Sequence, residues 1–182
     1  MKQEILLLGN PQLYEVSQPV NQAELAELLP VIADLHDTLS DFKVKYHVGR
    51  AIAAPQIGIQ KRLIYMYIDH PVVFINPSLE FGDDELMTVM DDCMSFPNLL
   101  VKVQRYRRCK IRYRDRDWNE CSLDLEGDLS ELLQHEYDHL DGILATMRAI
   151  DLRSFFIKDK AALPHAMQVS GANQDSASRQ LN

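Results

Sequence analysis

The sequence predicts an α+β fold in which antiparallel β-sheets pack around a central helix. One amphipathic helical stretch precedes residue 49 and a second spans residues 127–140, while the chain between them is rich in strand-forming residues. The second stretch carries two histidines four residues apart among several leucines. An apolar face on that stretch indicates a helix buried in the core, so we expect it at the centre of the domain.

The first helix follows a run of turn signals. Residues 9–11, Gly-Asn-Pro, predict a turn, and Asn21 followed by Glu24 resembles a capping box. Apolar side chains then recur at helical spacing, but Pro30 lies inside that stripe. Proline removes one helical hydrogen bond, so we expect a kink or a restart near Pro30 and a helix end before Gly49.

The middle of the chain predicts strands. Residues 61–69 and 71–76 are rich in aromatic and β-branched side chains, and residues 101–117 alternate with period two, which predicts one long strand. A turn at its end would return the chain into residues 120–125 as a hairpin. Residues 151–160 are a weaker helical candidate.

Size and composition indicate one soluble domain. The chain has 182 residues, of which 46% are hydrophobic and 25% charged. We expect one catalytic domain over residues 1–165 and a polar, disordered tail over residues 166–182. The longest apolar run has six residues, which is too short for a membrane span, and the N-terminus lacks the apolar core of a signal peptide. With three cysteines, this composition predicts a cytoplasmic protein.

The charge distribution excludes a general nucleic-acid binder. The net charge is −8, whereas binding to nucleic acid or to anionic membranes requires a basic surface. Residues 102–116 nevertheless contain eight basic residues and one acidic residue, a net charge of +7. Contact with RNA is one interpretation of this run. We favour a second interpretation, in which the run is the solvent-exposed face of a strand whose charges prevent another strand from pairing with its edge.

The strongest chemical signal is the pentapeptide that runs from His135 to His139. Residues four apart share a helix face, so both imidazoles can reach one ion, while Glu136 can face a water molecule and shuttle its proton. No downstream residue has the third-ligand spacing of the zinc proteases, but the Cys93 thiolate would complete a Cys-His-His set. The alternatives are a solvated helix and a cysteine that is only a small buried residue, as we expect for Cys109 and Cys121.

Three segments resemble the motifs of the peptide deformylase family. Residues 49–58 (GRAIAAPQIG) resemble G-h-G-h-A-A-x-Q, residues 91–95 (DDCMS) resemble E-G-C-h-S, and residues 134–139 (QHEYDH) resemble Q-H-E-h-D-H. Their order and separations also fit. The resemblance covers roughly residues 5–160, and its three motifs differ in chemistry, which makes it specific.

The resemblance implies a complete set of roles. Cys93, His135 and His139 would hold a divalent metal, usually Fe²⁺, with Zn²⁺, Ni²⁺ or Co²⁺ as other occupants. Metal-bound water would attack the formyl carbon of an N-formylmethionyl nascent chain at the ribosome. Glu136 would move the water's proton to the leaving amine. Gln56 and the backbone N–H of Met94 would stabilise the oxyanion.

The motifs also depart from the family pattern near the expected substrate. Ala51 replaces a glycine, Asp91-Asp92 replace Glu-Gly, and Arg50 and Glu131 stand where an apolar pocket for methionine is expected. Arg105 is the expected partner of Asp91. Arg50 and Glu131 would either pair and line the pocket with their stems, select a polar side chain, or point to solvent. The expected substrate-binding residues are Gly49, Arg50, Ala51, Asp92, Glu131 and Leu132.

Three alternative functions remain, of which the first is motivated by these departures. The first is a hydrolase of the same fold that acts on another formamide or N-acyl substrate. The second is a zinc endopeptidase, which is disfavoured because its downstream third ligand is missing. The third is a non-catalytic metal-binding module, which is disfavoured because Gln56, Cys93, His135, Glu136 and His139 are all present.

Overall fold

The fold consists of two antiparallel sheets and two α-helices, described by a computed structural model over residues 1–158. The elements are β1 (Ala51–Ala53), β2 (Leu63–Tyr67), β3 (Pro71–Glu80), β4 (Leu86–Asp92), β5 (Leu99–Tyr106), β6 (Arg108–Arg114), β7 (Glu120–Glu126), β8 (Phe155–Ile157), α1 (Leu25–Tyr46) and α2 (Asp128–Leu140). The larger sheet has the strand order β1-β2-β3-β6-β7 and the smaller one β4-β5-β8. The predicted tail, and the domain boundary at residue 165, lie outside the described residues.

Helix α2 lies between the two sheets. It contacts β1, β2, β3 and β7 of the larger sheet and β5 of the smaller one. Leu133 and Leu140 are fully buried, and they pack in a cluster with Phe74 and Ile111. The predicted central helix and the α+β class are therefore confirmed. No helix in residues 1–158 is long and apolar enough to cross a membrane.

Helix α1 runs past Pro30 without interruption, so the predicted restart is wrong. A proline here costs one hydrogen bond, and the apolar stripe that packs Leu28, Ile32, Leu35 and Leu39 into the core keeps the segment helical. At the start, the Glu24 carboxylate accepts the Asn21 backbone N–H at 2.7 Å, as the predicted capping interaction requires. The helix ends at Tyr46, before Gly49, as predicted.

The predicted strand over residues 101–117 is in fact two strands in different sheets. β5 ends at Tyr106 and β6 begins at Arg108, with one residue between them. Val101 and Val103 face the core beside the smaller sheet, whereas Cys109 and Ile111 face the core of the larger one. The period-two burial continues across the break, and for this reason the sequence pattern does not reveal the change of sheet.

The hairpin after β6 is confirmed. β6 pairs with β7 along its whole length, and the Asp115 side chain accepts the backbone N–H groups of Asp117 and Asn119 at 2.9 and 2.8 Å in the turn. The helix predicted over residues 151–160 is wrong within the described part of that range. Residues there form a turn and then β8, which pairs with β5.

The basic run does not protect a sheet edge, since β6 lies between β3 and β7. Acidic residues on neighbouring segments pair with its exposed side chains. Arg112 contacts Glu80 at 2.5 Å, Arg114 contacts Glu120 at 2.5 Å, and Arg108 contacts Glu85 at 2.6 Å. The β6 part of the run is a solvent-exposed strand face, as favoured above, whose charges are paired with neighbouring acidic residues, whereas Arg105 on β5 is buried.

Cys109 is buried as expected, while Cys121 is only partly buried.

Candidate metal centre and substrate cavity

A cavity of about 460 Å³ opens between the end of α1, strand β1, the segment after β4 and helix α2. Its wall contains residues from all three of the sequence motifs. All six residues that the sequence predicted to bind substrate line this cavity, beside His135 and Glu136. The folded chain thus brings the predicted substrate residues to one place.

The three predicted metal ligands form one buried cluster. The Cys93 sulfur lies 3.2 Å from Nε2 of His139, and Nε2 of His139 lies 3.2 Å from Nε2 of His135. All three donor atoms lie within 4.8 Å of one another. Helix α2 supplies both imidazoles from successive turns, and the bend after β4 supplies the thiol. One sulfur and two nitrogens at these separations can surround a single divalent ion.

Hydrogen-bond donors approach the Cys93 sulfur from two directions. The Ser95 backbone N–H and the Gln56 side-chain amide each lie 3.4 Å from it. These contacts hold the Cys93 sulfur beside the two imidazoles at the cavity wall. Gln56 is itself fixed, because its Oε1 accepts the Ala53 backbone N–H at 2.9 Å. Gln56 is therefore a buried side chain with a fixed orientation beside Cys93.

A buried charge network orients the first imidazole. Nδ1 of His135 lies 2.6 Å from the Asp91 carboxylate, and Asp91 also accepts from Arg105 at 2.8 Å. The other terminal nitrogen of Arg105 donates a hydrogen bond to Asp138 at 2.5 Å, and the more exposed Arg148 contacts Asp138 at 2.7 Å. The predicted pair of Asp91 and Arg105 is present. A carboxylate behind a histidine leaves the opposite ring nitrogen free to bind metal.

This network sets the protonation of the buried groups. Burial opposes ionisation of Asp91, but His135 and Arg105 outweigh it and lower the pKa of Asp91 to about 2. Burial likewise opposes the charge on His135, yet the Asp91 and Cys93 charges raise its pKa well above the usual value. Burial and the neighbouring His135 lower the pKa of His139 well below the usual value.

Glu136 is buried beside these groups without a salt bridge. Its Oε2 atom accepts no hydrogen bond from the residues that the structure describes. Burial is the main reason that the pKa of Glu136 is raised to about 7. The Met94 backbone N–H donates to no acceptor within residues 1–158, which leaves it available at the cavity wall. Glu136 and Met94 are thus placed beside the cluster of donors.

The departures from the family pattern have definite positions. Arg50 and Glu131 pair across the cavity wall at 3.4 Å, and the Glu131 side chain is only 18% exposed. The interpretation in which both point to solvent is therefore wrong. Ala51 lies in extended strand β1, where a side chain causes no backbone strain. Asp92 contacts Lys158 at 2.5 Å and is not among the clustered metal donors.

Sequence interpretation missed several residues of this site. Asp138 lies next to His139 in the motif, but its contacts with Arg105 and Arg148 depend on the tertiary fold. Ser95 also belongs to the site through its contacts with Cys93 and Gln56. The only signal in the sequence was the acidic residue Asp138 within the histidine motif, and that signal does not identify Arg105 and Arg148 as its partners.

The family model of Polypeptide deformylase matches residues 2–155. A relative named Peptide deformylase 1 from Prochlorococcus marinus (strain MIT 9313) is 34% identical over 189 aligned positions, which cover 97% of this chain and 96% of the relative. A Peptide deformylase from Treponema pallidum is 36% identical and covers 78% of this chain and 84% of its own.

Solved structures agree with these relatives. The crystal structure of peptide deformylase from Thermotoga maritima aligns with a TM-score of 0.75 and 30% identity, covering 83% of this chain and 99% of that one. A peptide deformylase of class I type b from Acinetobacter baumannii, solved with Met-Ala-Ser bound, aligns with a TM-score of 0.73, 27% identity and coverages of 81% and 98%. On its motifs, its fold and these matches, the chain belongs to the peptide deformylase family.

Proposed function

We propose that this chain removes the formyl group from the N-formylmethionyl end of nascent polypeptides by metal-dependent hydrolysis. The observation that carries this proposal is the cavity in which a Cys-His-His donor cluster, a fixed glutamine amide and a buried, unpaired glutamate meet. Membership of the deformylase family assigns the reaction. The roles of individual residues are our proposal.

Cys93, His135 and His139 would hold the metal. The fit rests on their mutual distances, on the hydrogen-bond donors around the sulfur, and on the Asp91 carboxylate behind His135. We propose Fe²⁺ as the occupant, since the family resemblance implies it, although thiolate and imidazole also suit Zn²⁺, Ni²⁺ and Co²⁺. When bound, a divalent ion polarises the substrate oxygen and makes water more acidic.

Glu136 accepts the proton from the attacking water and passes it to the amine that leaves. A general base works best when its pKa lies near the operating pH, and burial raises the pKa of Glu136 to about 7. Its unpaired Oε2 atom leaves one oxygen free for this transfer. The side chain stays in place because it is buried on α2 between the two proposed histidine ligands.

Gln56 and Met94 supply the donors for the developing oxyanion. The Gln56 carbonyl oxygen is held by the Ala53 N–H, so its NH₂ group faces the Cys93 sulfur and the cavity. The Met94 backbone N–H follows Cys93 directly and is free of acceptors within the described residues. Each fixed donor of this kind lowers the barrier by about 3 kcal/mol.

The first experiment measures formate release from N-formyl-Met-Ala-Ser by protein that is purified without oxygen and assayed for metal. Glu136→Ala should keep its metal content, since Glu136 is not one of the three donors, and lose turnover by orders of magnitude. Near-normal turnover in this variant would remove Glu136 from its proposed role.

The metal ligands are tested by a pair of cysteine variants. Cys93→Ala should lose the metal, whereas Cys109→Ala removes an equally buried thiol that is outside the cluster and should retain it. Metal content is read by elemental analysis after dialysis against a weak chelator. Unchanged metal in Cys93→Ala would exclude that residue as a ligand.

We further propose that one catalytic domain spans residues 1–165 and acts in the cytoplasm, where formylated nascent chains leave the ribosome. The solvent-exposed face of β6 does not support RNA contact, because ion pairs such as that of Arg112 with Glu80 neutralise its positive charges. Co-sedimentation with translating ribosomes at physiological salt tests whether the chain meets its substrate there.

A further inference from the structure

The cavity beside the metal cluster has a charged end. Glu131 lies one helical turn before His135, on the same face of α2, and its side chain forms part of the cavity wall. A turn of helix advances about 5.4 Å, so Glu131 is set back along α2 from the proposed ligand His135. Because the formyl group has to reach the metal end of the cavity, the first side chain of the substrate is placed at the Glu131 end.

Arg50 completes this charged end from the opposite wall. Its Nη2 lies 3.4 Å from Oε2 of Glu131, a long contact that occupies one of the five guanidinium N–H groups. Within residues 1–158 the Arg50 side chain makes no other hydrogen bond or ion pair. The guanidinium is 43% exposed. Arg50 lines the cavity, so its remaining donors are available to a group that binds there.

The apolar part of the cavity wall is formed by Phe42, Val48, Leu132 and the Ala51 side chain, and Tyr46 and His47 add polar groups to the wall. Such a pocket accepts an unbranched apolar chain along its length but presents hydrogen-bond donors at its end. A thioether sulfur is a weak acceptor, whereas a sulfoxide or carboxamide oxygen is a strong one. A purely aliphatic side-chain end would displace water from the Arg50 donors without offering them an acceptor, which costs free energy.

We propose that the Arg50–Glu131 pair makes this deformylase favour first side chains of methionine's length that end in a hydrogen-bond acceptor over aliphatic ones. The proposal rests on the deformylase activity proposed above and names its side-chain preference. Arg50 donates to the acceptor, Glu131 holds the guanidinium in place, and Leu132 packs against the methylene groups. Both charged residues determine specificity and take no part in breaking the bond.

The test compares kcat/KM for formate release from four peptides. They have the sequence N-formyl-X-Ala-Ser, where X is norleucine, methionine, methionine sulfoxide or glutamine. One charge-assisted hydrogen bond is worth about tenfold, so the metal-loaded wild-type protein should prefer methionine sulfoxide to norleucine by about tenfold or more. A wild-type preference for norleucine would overturn the proposal.

Variants connect the preference to the pair. The double variant Arg50→Leu/Glu131→Leu makes the end of the pocket apolar and should reverse the ratio in favour of norleucine. Arg50→Leu alone is the milder change and should bring the ratio close to one. Arg112→Leu breaks an ion pair with Glu80 on the solvent-exposed face of β6 and should leave the ratio unchanged. A ratio that stays the same in both pocket variants would overturn the role of Arg50.

These outcomes separate the two proposals. Release of formate from any of the four peptides supports the deformylase activity, whatever the order of preference. A reversed order overturns the side-chain preference alone. Metal-loaded protein that releases no formate from any peptide would overturn both.

Discussion

Replacing Arg105 with leucine should strongly destabilise the protein. Arg105 is 4% exposed and bridges two buried carboxylates, those of Asp91 and Asp138. Leucine fills part of the same volume but leaves both carboxylates without their shared cation. An ionised carboxylate in the protein interior is stable only when it is paired. Removing its partner therefore lowers the free energy of unfolding by more than the intact ion pair contributes to it.

The structure limits the size of the effect. Removing one partner from a buried ion pair costs about 3–5 kcal/mol. Asp138 would keep Arg148 at 2.7 Å, and Asp91 would keep His135 at 2.6 Å. Because each carboxylate retains one neighbour, we expect the lower end of that range, a loss of about 3 kcal/mol in the free energy of unfolding.

Urea unfolding followed by circular dichroism measures this loss. Both proteins should be compared free of metal, because weaker metal binding would otherwise add to the difference. Arg112→Leu is the matched control. Arg112 and Glu80 are 58% and 51% exposed, so breaking their pair should cost less than about 1 kcal/mol.

A second measurement examines the metal site. Arg105 holds Asp91, which in turn contacts His135, and loss of such an outer partner weakens metal binding by about 10- to 100-fold. Chelator competition measures that affinity. If Arg105→Leu were no less stable than Arg112→Leu and bound metal equally well, the buried network would support neither the fold nor the metal site.

Two further predictions concern the backbone and acid pH. Gly142→Ala should destabilise the protein by more than the roughly 1–2 kcal/mol that a left-handed backbone alone costs an alanine, because its Cβ would lie 2.5 Å from the Tyr14 carbonyl oxygen. Gly9→Ala is the control: Gly9 also has a positive φ but lies in open space, so this variant should show only the backbone cost. Equal losses of stability in urea unfolding would refute the contact with Tyr14. The pKa of Asp91 is lowered to about 2, so its contribution to stability is present above pH 4 and lost as the pH falls toward 2. In metal-free protein this loss should amount to about 2 kcal/mol and should be absent in Asp91→Asn, and identical pH profiles for the two proteins would contradict it.

Local sequence patterns predicted the elements of this fold well where the pattern and the tertiary structure agree. The second helix, the hairpin through Asp115 and the capping contact of Glu24 depend on neighbours within a few residues, and all three are present. Residue type alone made Cys93 a candidate third ligand, and the family resemblance supported its position against the α2 histidines, which lie 42 and 46 positions further along the sequence.

The errors have a common cause, which is that long-range packing overrides local preference. Helix α1 continues through Pro30 because its apolar face is buried. Residues 155–157 form a strand because the edge of β5 is available to pair with them. The role of Asp138 depends on Arg105 and Arg148, which lie on other elements, so no spacing in the sequence indicates it.

The single residue between β5 and β6 determines where the chain tolerates insertions. The Arg107 N–H donates to the Glu85 carbonyl, and its own carbonyl accepts the Gly127 N–H, so this linker is fixed on both sides. One added residue there would shift the alternation of β6 and turn Cys109 and Ile111 from the core toward solvent. This linker is therefore a poor place for a tag or a lengthened loop, although it joins strands of two different sheets.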